Sequence, residues 1–246
     1  QHANKRPFFI YVPHEAPHYP YQGPGDKADR TVGGEFNNHG SREDKKEAYR
    51  EMVVEMDVGI GEILNCLRRH QITDNTIVVF CSDNGATSLG SNGELRGTKG
   101  TNFEGGHRVP CVVQWPAGFP KGRINHQLAM GMDWMPTALG IAGLSEHAGR
   151  TIDGDDLTKR IREKQEVIER TVVWNGNTIR RGNWKLMLPQ KQLKEISLFN
   201  LHEDLAEQTN VAVKYPDIVK QLIMELAAIN AENKAVATAQ PTSAPK

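Results

Sequence analysis

Residues 76–110 decide the fold, and they read TIVVFCSDNGATSLGSNGELRGTKGTNFEGGHRVP. The apolar run at 77–81 is rich in β-branched residues and contains no polar one, so it predicts a strand buried on both faces of a parallel sheet. Asp83 and Asn84 follow directly, at the carboxyl end of that strand, where the ligands of open α/β sheets collect. A carboxylate and an amide oxygen are hard donors that suit Ca²⁺ or Mg²⁺. The stretch therefore predicts a metal site just beyond a core strand.

The second part of the stretch, residues 95–106, is a glycine-rich loop with the sequence LRGTKGTNFEGG. Glycine lets a backbone come close to a ligand, and Lys99 adds a compact positive charge beside it. This combination favours the binding of an oxyanion such as phosphate or sulfate. The alternative is a solvated lysine in an ordinary surface loop, which the preceding strand and metal-type turn make the weaker interpretation.

Taken together, SDNG and LRGTKGTNFEGGHRVP closely resemble the sulfatase family, within the alkaline-phosphatase-like superfamily. The resemblance implies that Asp83 and Asn84 bind calcium and that Lys99 binds the sulfate group during catalysis. It also implies an α/β fold, in which part of a doubly wound sheet is followed by a small α+β subdomain with an antiparallel sheet and a closing helix.

A proline-rich loop at 13–20, PHEAPHYP, follows a second strand candidate at 8–12. Histidines at the carboxyl end of a strand suit general acid catalysis or anion contact, whereas the alternative is two solvated loop histidines. The loop resembles the sulfatase segment whose histidine contacts the sulfate and the leaving-group oxygen, which implies this role for His18. His14 has no counterpart there and is assigned to the substrate side. His107 is a further candidate substrate contact, and for both His14 and His107 a structural role is the favoured alternative.

The rest of the chain predicts helices and short strands. Residues 43–70 have apolar residues at helical spacing over several turns, and 132–142 predicts a short helix. Short β-type runs separated by Asn-Gly and Gly-Asn turns predict a small antiparallel sheet. The predicted strands lie at 111–115, 171–174, 178–180, 184–188 and 197–201, and a closing helix is predicted at 216–229. We divide the chain into the later part of a catalytic α/β domain (1–150), an antiparallel-sheet subdomain (151–233) and a disordered tail (234–246).

Composition excludes some partners. Thirty basic and thirty acidic side chains cancel, which gives no argument for nucleic acid or an anionic membrane. No apolar run approaches the ~20 residues of a membrane span. We therefore expect neither nucleic acid nor membrane as a partner. Cys81 and Cys111 lie in apolar runs and read as small buried hydrophobic residues, and a count of three cysteines does not suggest a disulfide framework.

The sulfatase resemblance also implies a nucleophile that these residues do not contain. The family makes a formylglycine within a Cys/Ser-x-Pro/Ala-x-Arg motif, and neither the serines nor Cys66, Cys81 and Cys111 have that context. The family's early aspartate pair and its second lysine and histidine are also missing, and all of these lie upstream in the family. We expect a later part of a longer protein, with half of a calcium site and no activity of its own. The resemblance implies a periplasmic or secreted location, although no signal peptide is present.

The function expected from the resemblance is sulfuric-ester hydrolysis of the arylsulfatase kind, on a small-molecule or saccharide sulfate. The long polar loop at 22–42 and the nearby histidines favour a sulfated carbohydrate. The first alternative is a phosphate or phosphonate ester hydrolase of the same superfamily, which uses a different nucleophile motif. The second is an inactive truncated or degenerate product.

Overall fold

The computed structural model describes most of the chain, in five stretches: residues 6–30, 40–144, 152–163, 166–191 and 193–239. Two compact units are present, each assembled from separate stretches of sequence. The first takes in Gln1–Cys81, Ala86–Ser91 and Pro110–Gly122, and the second takes in Ser82–Gly85, Asn92–Val109 and Arg123–Lys246. In the described part of the chain, no helix is both long and apolar enough to cross a membrane.

The first unit consists of a long helix and a two-stranded ribbon. Helix α1, Lys45–Arg69, agrees closely with the helix predicted at 43–70, and it buries Ala48 and Leu67. Strand β1, Val78–Cys81, pairs antiparallel with strand β2, Cys111–Gln114. The middle of the loop predicted at 22–42 lies outside the described residues.

The prediction of a buried parallel strand at 77–81 was wrong. Strand β1 runs antiparallel to β2, and Val79 and Phe80 are 39% and 37% exposed. Among the described residues β1 has no second neighbouring strand, so one edge and much of both faces stay uncovered. An apolar run indicates that a strand forms, but it does not fix the direction or number of its neighbours. Cys81 and Cys111, which were predicted to be buried, are exposed for the same reason.

The strand predicted at 8–12 was also wrong. These residues belong to no strand, and Phe9 and Tyr11 are 87% and 77% exposed. A single apolar run cannot satisfy its backbone groups as a strand unless another strand lies beside it. None of the described strands pairs with it.

The second unit contains three short helices and a four-stranded sheet. Helix α2, Glu104–His107, is a single turn, and helices α3, Trp134–Ile141, and α4, Thr158–Arg162, precede the sheet. Strands β3, β4, β5 and β6 form an antiparallel meander in chain order, as predicted. They span Thr171–Trp174, Thr178–Arg181, Trp184–Met187 and Ser197–Asn200.

The turns of this sheet follow from their residues. Asn175 and Gly176 have φ of +51° and +65° between β3 and β4, and Gly182 has φ of +54° between β4 and β5. Positive φ is what tight hairpins require, and asparagine and glycine reach it at the least cost. The turn chemistry read from the sequence therefore placed these hairpins correctly.

The two faces of the sheet have different partners. Successive residues of a strand point to opposite faces, so Leu186 faces one way while Lys185 and Met187 face the other. On the first face, the core contains Ile179, Leu186 and Leu198 with Leu222 and Leu226 of helix α5, Pro216–Ala239. On the second face, Met187 packs with Phe103, Phe199 and Leu201.

Helix α5 continues past the predicted end at 229 and into the stretch for which we predicted disorder from residue 234. Residues 231–239 are rich in alanine, which has the highest helix propensity, so a helix already formed can extend through them. Residues 240–246 lie outside the described residues. The boundary predicted at 150 stays a prediction, because 145–151 lie outside them as well.

A cluster of buried charges lies on the second face of the sheet. The ammonium of Lys185 is fully buried, 3.0 Å from Glu104 Oε1 and 2.8 Å from Glu207 Oε1, and both glutamates are fully buried too. The other carboxylate oxygen of Glu104 lies 3.4 Å from guanidinium nitrogens of both Arg108 and Arg180. The backbone N–H of Glu104 donates to Glu207 Oε2 at 2.6 Å. Helix α2, strand β5 and the segment around 207 are therefore joined by one ionic network.

The two carboxyls of this network have opposite pKa shifts. Burial acts to raise the pKa of Glu104, but the charges of Lys185 and Arg180 outweigh it and the pKa lies below its usual value. Burial dominates at Glu207 and raises its pKa, against the opposing effect of Lys185. Glu104 is therefore the firmly ionised partner of the buried lysine.

His107, on the last position of α2, extends this network. Its ring stacks on Trp174 with centroids 4.3 Å apart, and its Nε2 lies 3.1 Å from Lys185 Nζ and 3.2 Å from the backbone oxygen of Asn102. Burial, followed by the charge of Lys185, lowers the pKa of His107 to about 4. The imidazole is therefore neutral at physiological pH.

Replacement of the buried lysine tests this network. Lys185→Met should lower the free energy of unfolding by about 3–5 kcal/mol, because it removes the ammonium that the two buried glutamates share. Lys220→Met, at an exposed position on α5, is the matched control and should change it by less than about 0.5 kcal/mol. Urea unfolding measures both. Adding Glu104→Gln to Lys185→Met should recover part of the loss, since it removes one unpaired charge. Equal stability of the two lysine variants would contradict the network.

The neutral state of His107 predicts a pH dependence. The unfolded chain binds a proton near the usual pKa of 6.5 and the folded protein only near pH 4, so stability is complete above pH 6.5 and falls as the pH drops toward 4. The loss should reach up to about 3 kcal/mol. Urea unfolding at a series of pH values should show this slope, and His107→Gln should remove it. His202→Gln, at an exposed position, should retain it, and a slope that survives His107→Gln would refute the assignment.

Candidate active site

Three backbone segments of the second unit pack against one another without side chains between them. The N–H of Gly85, in the turn after β1, donates to the Gly106 carbonyl at 3.0 Å. The N–H of Gly105 donates to the Arg96 carbonyl at 2.7 Å, in the loop that carries Lys99. A Cβ on Gly85 would lie 1.8 Å from the Gly105 oxygen. Contact this close requires glycine, so the metal-type turn, helix α2 and the lysine loop form one backbone unit, which we call the glycine stack.

Asp83 and Asn84 lie directly before Gly85, in the turn that belongs to this stack. The Asn84 N–H donates to Asp83 Oδ1 at 2.9 Å, and the Ser82 hydroxyl donates to the Asn84 carbonyl at 3.1 Å, so the turn is closed by its own side chains. Asp83 is exposed and Asn84 is half-buried. Both side chains are hard oxygen donors of the kind calcium prefers. In the described stretches, no cluster of three or more His, Cys, Asp or Glu residues that could hold a metal is present. The two residues therefore fit a metal ion that prefers oxygen ligands, as part of its coordination shell.

Lys99 lies at the tip of the loop, exposed to solvent. It is flanked by Gly97 and Gly100, which both have φ of +86°. The hydroxyl of Thr101 closes the turn by donating to the Thr98 carbonyl at 2.8 Å. Lys99 makes no ion pair with any residue that the structure describes. Its ammonium is therefore available to an anion, on a backbone whose shape depends on two left-handed glycines.

Asn102, which the sequence analysis did not select, joins this loop to the β3–β4 hairpin. Its amide donates to Asn177 Oδ1 and Thr178 Oγ1, both at 2.8 Å, and its carbonyl oxygen accepts from Asn175 Nδ2 at 2.7 Å. The residue is 6% exposed. Buried amides that are fully hydrogen-bonded hold neighbouring segments in one arrangement. In the sequence, Asn175 and Asn177 were already explained by the hairpin turn between β3 and β4. They therefore gave no separate signal that a residue such as Asn102 contacts them.

His14 and His18 lie in the first unit, both exposed. The Ala16 N–H donates to His14 Nδ1 at 3.2 Å. His18 Nδ1 lies 3.0 Å from the Tyr19 carbonyl oxygen, which can only accept, so this nitrogen carries a proton. In the neutral ring its Nε2 then has the lone pair and can accept a hydrogen bond.

Of the predicted site residues, the structure places Asp83, Asn84, Lys99 and His107 in the second unit. The glycine stack joins the segments of the first three. His107 lies in the buried ionic network, and its contacts favour the structural alternative for it. Lys185, Glu104 and Glu207 were missed because charged residues usually lie on the surface. The available signal was strand alternation, which puts Lys185 on the face of Met187.

Two family models match the chain. The model described as Sulfatase matches residues 1–144, and the model described as N-sulphoglucosamine sulphohydrolase, C-terminal, matches residues 98–232. The first match covers more than half of the chain.

Individual proteins and structures agree with this. The N-acetylgalactosamine-6-sulfatase of Canis lupus familiaris is 36% identical over 185 residues, which cover 73% of this chain and 33% of that protein. The steryl-sulfatase of Mus musculus is 41% identical over 125 residues, which cover 47% of this chain and 20% of that protein. A structure from work on glycosaminoglycan metabolism by Bacteroides thetaiotaomicron has a TM-score of 0.68 and 25% identity, and the match covers 75% of this chain and 45% of that one.

The chain thus spans about a third of the length of the first of these curated relatives. The structural likeness confirms the predicted class, an alkaline-phosphatase-like α/β fold followed by a small antiparallel subdomain. The match over residues 1–144 contains the quoted stretch with Asp83, Asn84 and Lys99. This chain belongs to the sulfatase family.

Proposed function

We propose that this chain provides the sulfate-binding lysine and part of the calcium site of a sulfuric-ester hydrolase that acts on a sulfated saccharide. The observation that carries the proposal is the glycine stack, which joins the turn of Asp83 and Asn84 to the loop of Lys99. An exposed cation that makes no ion pair with any described residue, on a loop joined by backbone contacts to the turn of two hard oxygen donors, suits a group such as sulfate, which has negative oxygens on several sides.

The family implies a metal ion and a formylglycine. When present, the metal supplies positive charge beside the sulfate and the formylglycine supplies the nucleophile. Within this chain, Asp83 and Asn84 are the residues that would hold the metal, and we take that metal to be calcium because both donors are oxygens.

The roles of the other residues follow from their chemistry. Lys99 binds sulfate oxygens and stabilises the charge that is redistributed as the ester bond breaks. His18, when protonated on both ring nitrogens, gives the proton on Nε2 to the departing alcohol oxygen, which is a poor leaving group without it. His14, four positions earlier in the same loop, contacts the substrate beyond the sulfate. His107 supports the loop from inside the fold rather than binding substrate.

The saccharide substrate is supported by two of the comparisons. The canine relative is named for a sulfated N-acetylgalactosamine, and the Bacteroides structure comes from work on glycosaminoglycans. The match to the steryl-sulfatase is shorter, covering less than half of this chain. We therefore take the substrate to be a sulfated saccharide rather than a sulfated sterol.

The lysine is the direct test of the proposed activity. In an enzyme that contains this chain together with the formylglycine motif, Lys99→Ala should lower kcat/KM for a sulfate ester by roughly 100-fold or more, because a fixed cation at the reacting group contributes about 3 kcal/mol. Lys121→Ala, at another exposed lysine, should leave the rate within two- to threefold. A sulfated monosaccharide and its phosphate analogue should be assayed in parallel. Faster hydrolysis of the phosphate, or an unaffected Lys99→Ala enzyme, would rule the proposal out.

Calcium binding by the 246 residues alone tests the incomplete metal shell. Two ligands fall well short of the ~6–8 oxygens that Ca²⁺ takes, so we expect a dissociation constant weaker than about 10⁻⁴ M. Isothermal titration calorimetry measures it. Asp83→Asn should abolish the remaining heat, whereas Asp74→Asn, at an exposed position outside the proposed site, should not change it. Micromolar or tighter binding would show that the chain holds ligands we have not identified.

A further inference from the structure

The ribbon of the first unit brings two cysteines face to face. In the antiparallel register of β1 and β2, Cys81 lies directly opposite Cys111. Directly opposed residues of an antiparallel pair have Cα atoms about 4.5 or 5.5 Å apart, according to whether the pair is hydrogen-bonded. Both values fall within the roughly 4.4–6.8 Å that a disulfide spans. The backbone therefore needs no rearrangement for the two sulfurs to be joined.

The side chains are also placed so that the two sulfurs can be joined. The Cys81 thiol is a hydrogen-bond partner of the Cys111 thiol, so the two side chains face each other. Both cysteines are exposed and unoxidised in the structure, as is Cys66, which lies on helix α1 outside the ribbon. A small-molecule oxidant can therefore reach the pair, and the two residues are each other's nearest reaction partner.

We propose that Cys81 and Cys111 form a cross-strand dithiol site that low-molecular-weight disulfides oxidise to an intramolecular disulfide. In the reaction, the Cys81 or Cys111 sulfur attacks oxidised glutathione and releases one glutathione thiol, and the other cysteine sulfur then displaces the second. Two S–H bonds of the protein and one S–S bond of glutathione disulfide are replaced by one protein S–S bond and two glutathione S–H bonds. The protein loses two electrons, which glutathione gains.

A disulfide between these two cysteines would constrain the segment of chain that lies between them. Residues 82–110 lie between the two cysteines, and they contain Asp83, Asn84, Lys99 and His107. The disulfide would close this whole segment at its base. Closure limits the conformations of the unfolded chain, which stabilises the folded state. The modification therefore acts on the one segment that holds all the candidate residues of the second unit.

The chemistry also sets the conditions of the test. Partial desolvation of the Cys111 sulfur, helped by the adjacent Cys81 thiol, raises the pKa of Cys111 to about 11. Exchange needs a thiolate, so equilibration at neutral pH is slow. Incubation at pH 8.5 over several hours allows the pair to reach equilibrium with glutathione.

The experiment measures the equilibrium between the pair and a glutathione redox buffer, in the chain with Cys66→Ser so that only the pair can react. Samples are quenched with N-ethylmaleimide and analysed by mass spectrometry, both without denaturant and in 8 M urea. We expect the native pair to form its disulfide at roughly 100-fold lower oxidant than the denatured pair, because the ribbon holds the sulfurs together. The oxidised protein should melt roughly 5 °C or more above the reduced protein.

Two kinds of control separate the proposal from simple thiol reactivity. Cys81→Ser or Cys111→Ser in the same background should yield only mixed disulfides with glutathione. Combining Cys111→Ser with Val112→Cys moves one thiol by one position, onto the opposite face of the ribbon, and should remove the 100-fold preference. Equal oxidation of the native and denatured pairs, mixed disulfides on both cysteines of the native pair, or full oxidation of the shifted pair would each overturn the proposal.

Discussion

The ion pair between Lys185 and Glu104 is the interaction on which the second unit depends. It joins strand β5 to helix α2, across a sequence separation of 81 residues, with both partners fully buried. Helix α2 is a single turn, too short to be stable alone, so its position comes from this network and from the glycine stack. A buried ion pair adds little net stability over apolar residues of the same volume, but it is satisfied in very few arrangements. Its contribution here is to select one arrangement of the loop that carries Lys99.

Because side chains alternate along a strand, β5 contributes residues to both faces of the sheet. Leu186 adds to the apolar core beneath α5, while its neighbours Lys185 and Met187 face the other way. The second face is therefore mixed, with an apolar group around Met187 and Phe199 beside the charges. The apolar residues exclude water, and exclusion of water strengthens each charge interaction next to them. The ionic network on this face is therefore supported by the apolar residues beside it.

The sequence was most informative where local rules decide the structure. The hairpins around Asn175 and Gly182 and helix α5 followed from turn chemistry and from helical spacing, which depend on neighbouring residues only. The direction and burial of β1 did not follow, because both depend on which strands lie beside it. Within the site, Asp83, Asn84 and Lys99 were read from a contiguous stretch. Lys185 and Glu207 were missed because their roles arise from contacts between distant segments.

The meander of β3 to β6 has a consequence for the order of folding. Among the described strands, each strand of the meander pairs only with its neighbours along the chain, so the loops that must close to form the sheet are short. The contacts that join α2 to the ionic network close loops of 81 residues to Lys185 and 103 residues to Glu207. Short loops close at a lower entropic cost, so the sheet and its helix should assemble first and then provide the surface on which α2 and the lysine loop acquire their shape. The segment with the candidate chemistry would then be among the last parts of this unit to become ordered, and the first to lose its order under stress.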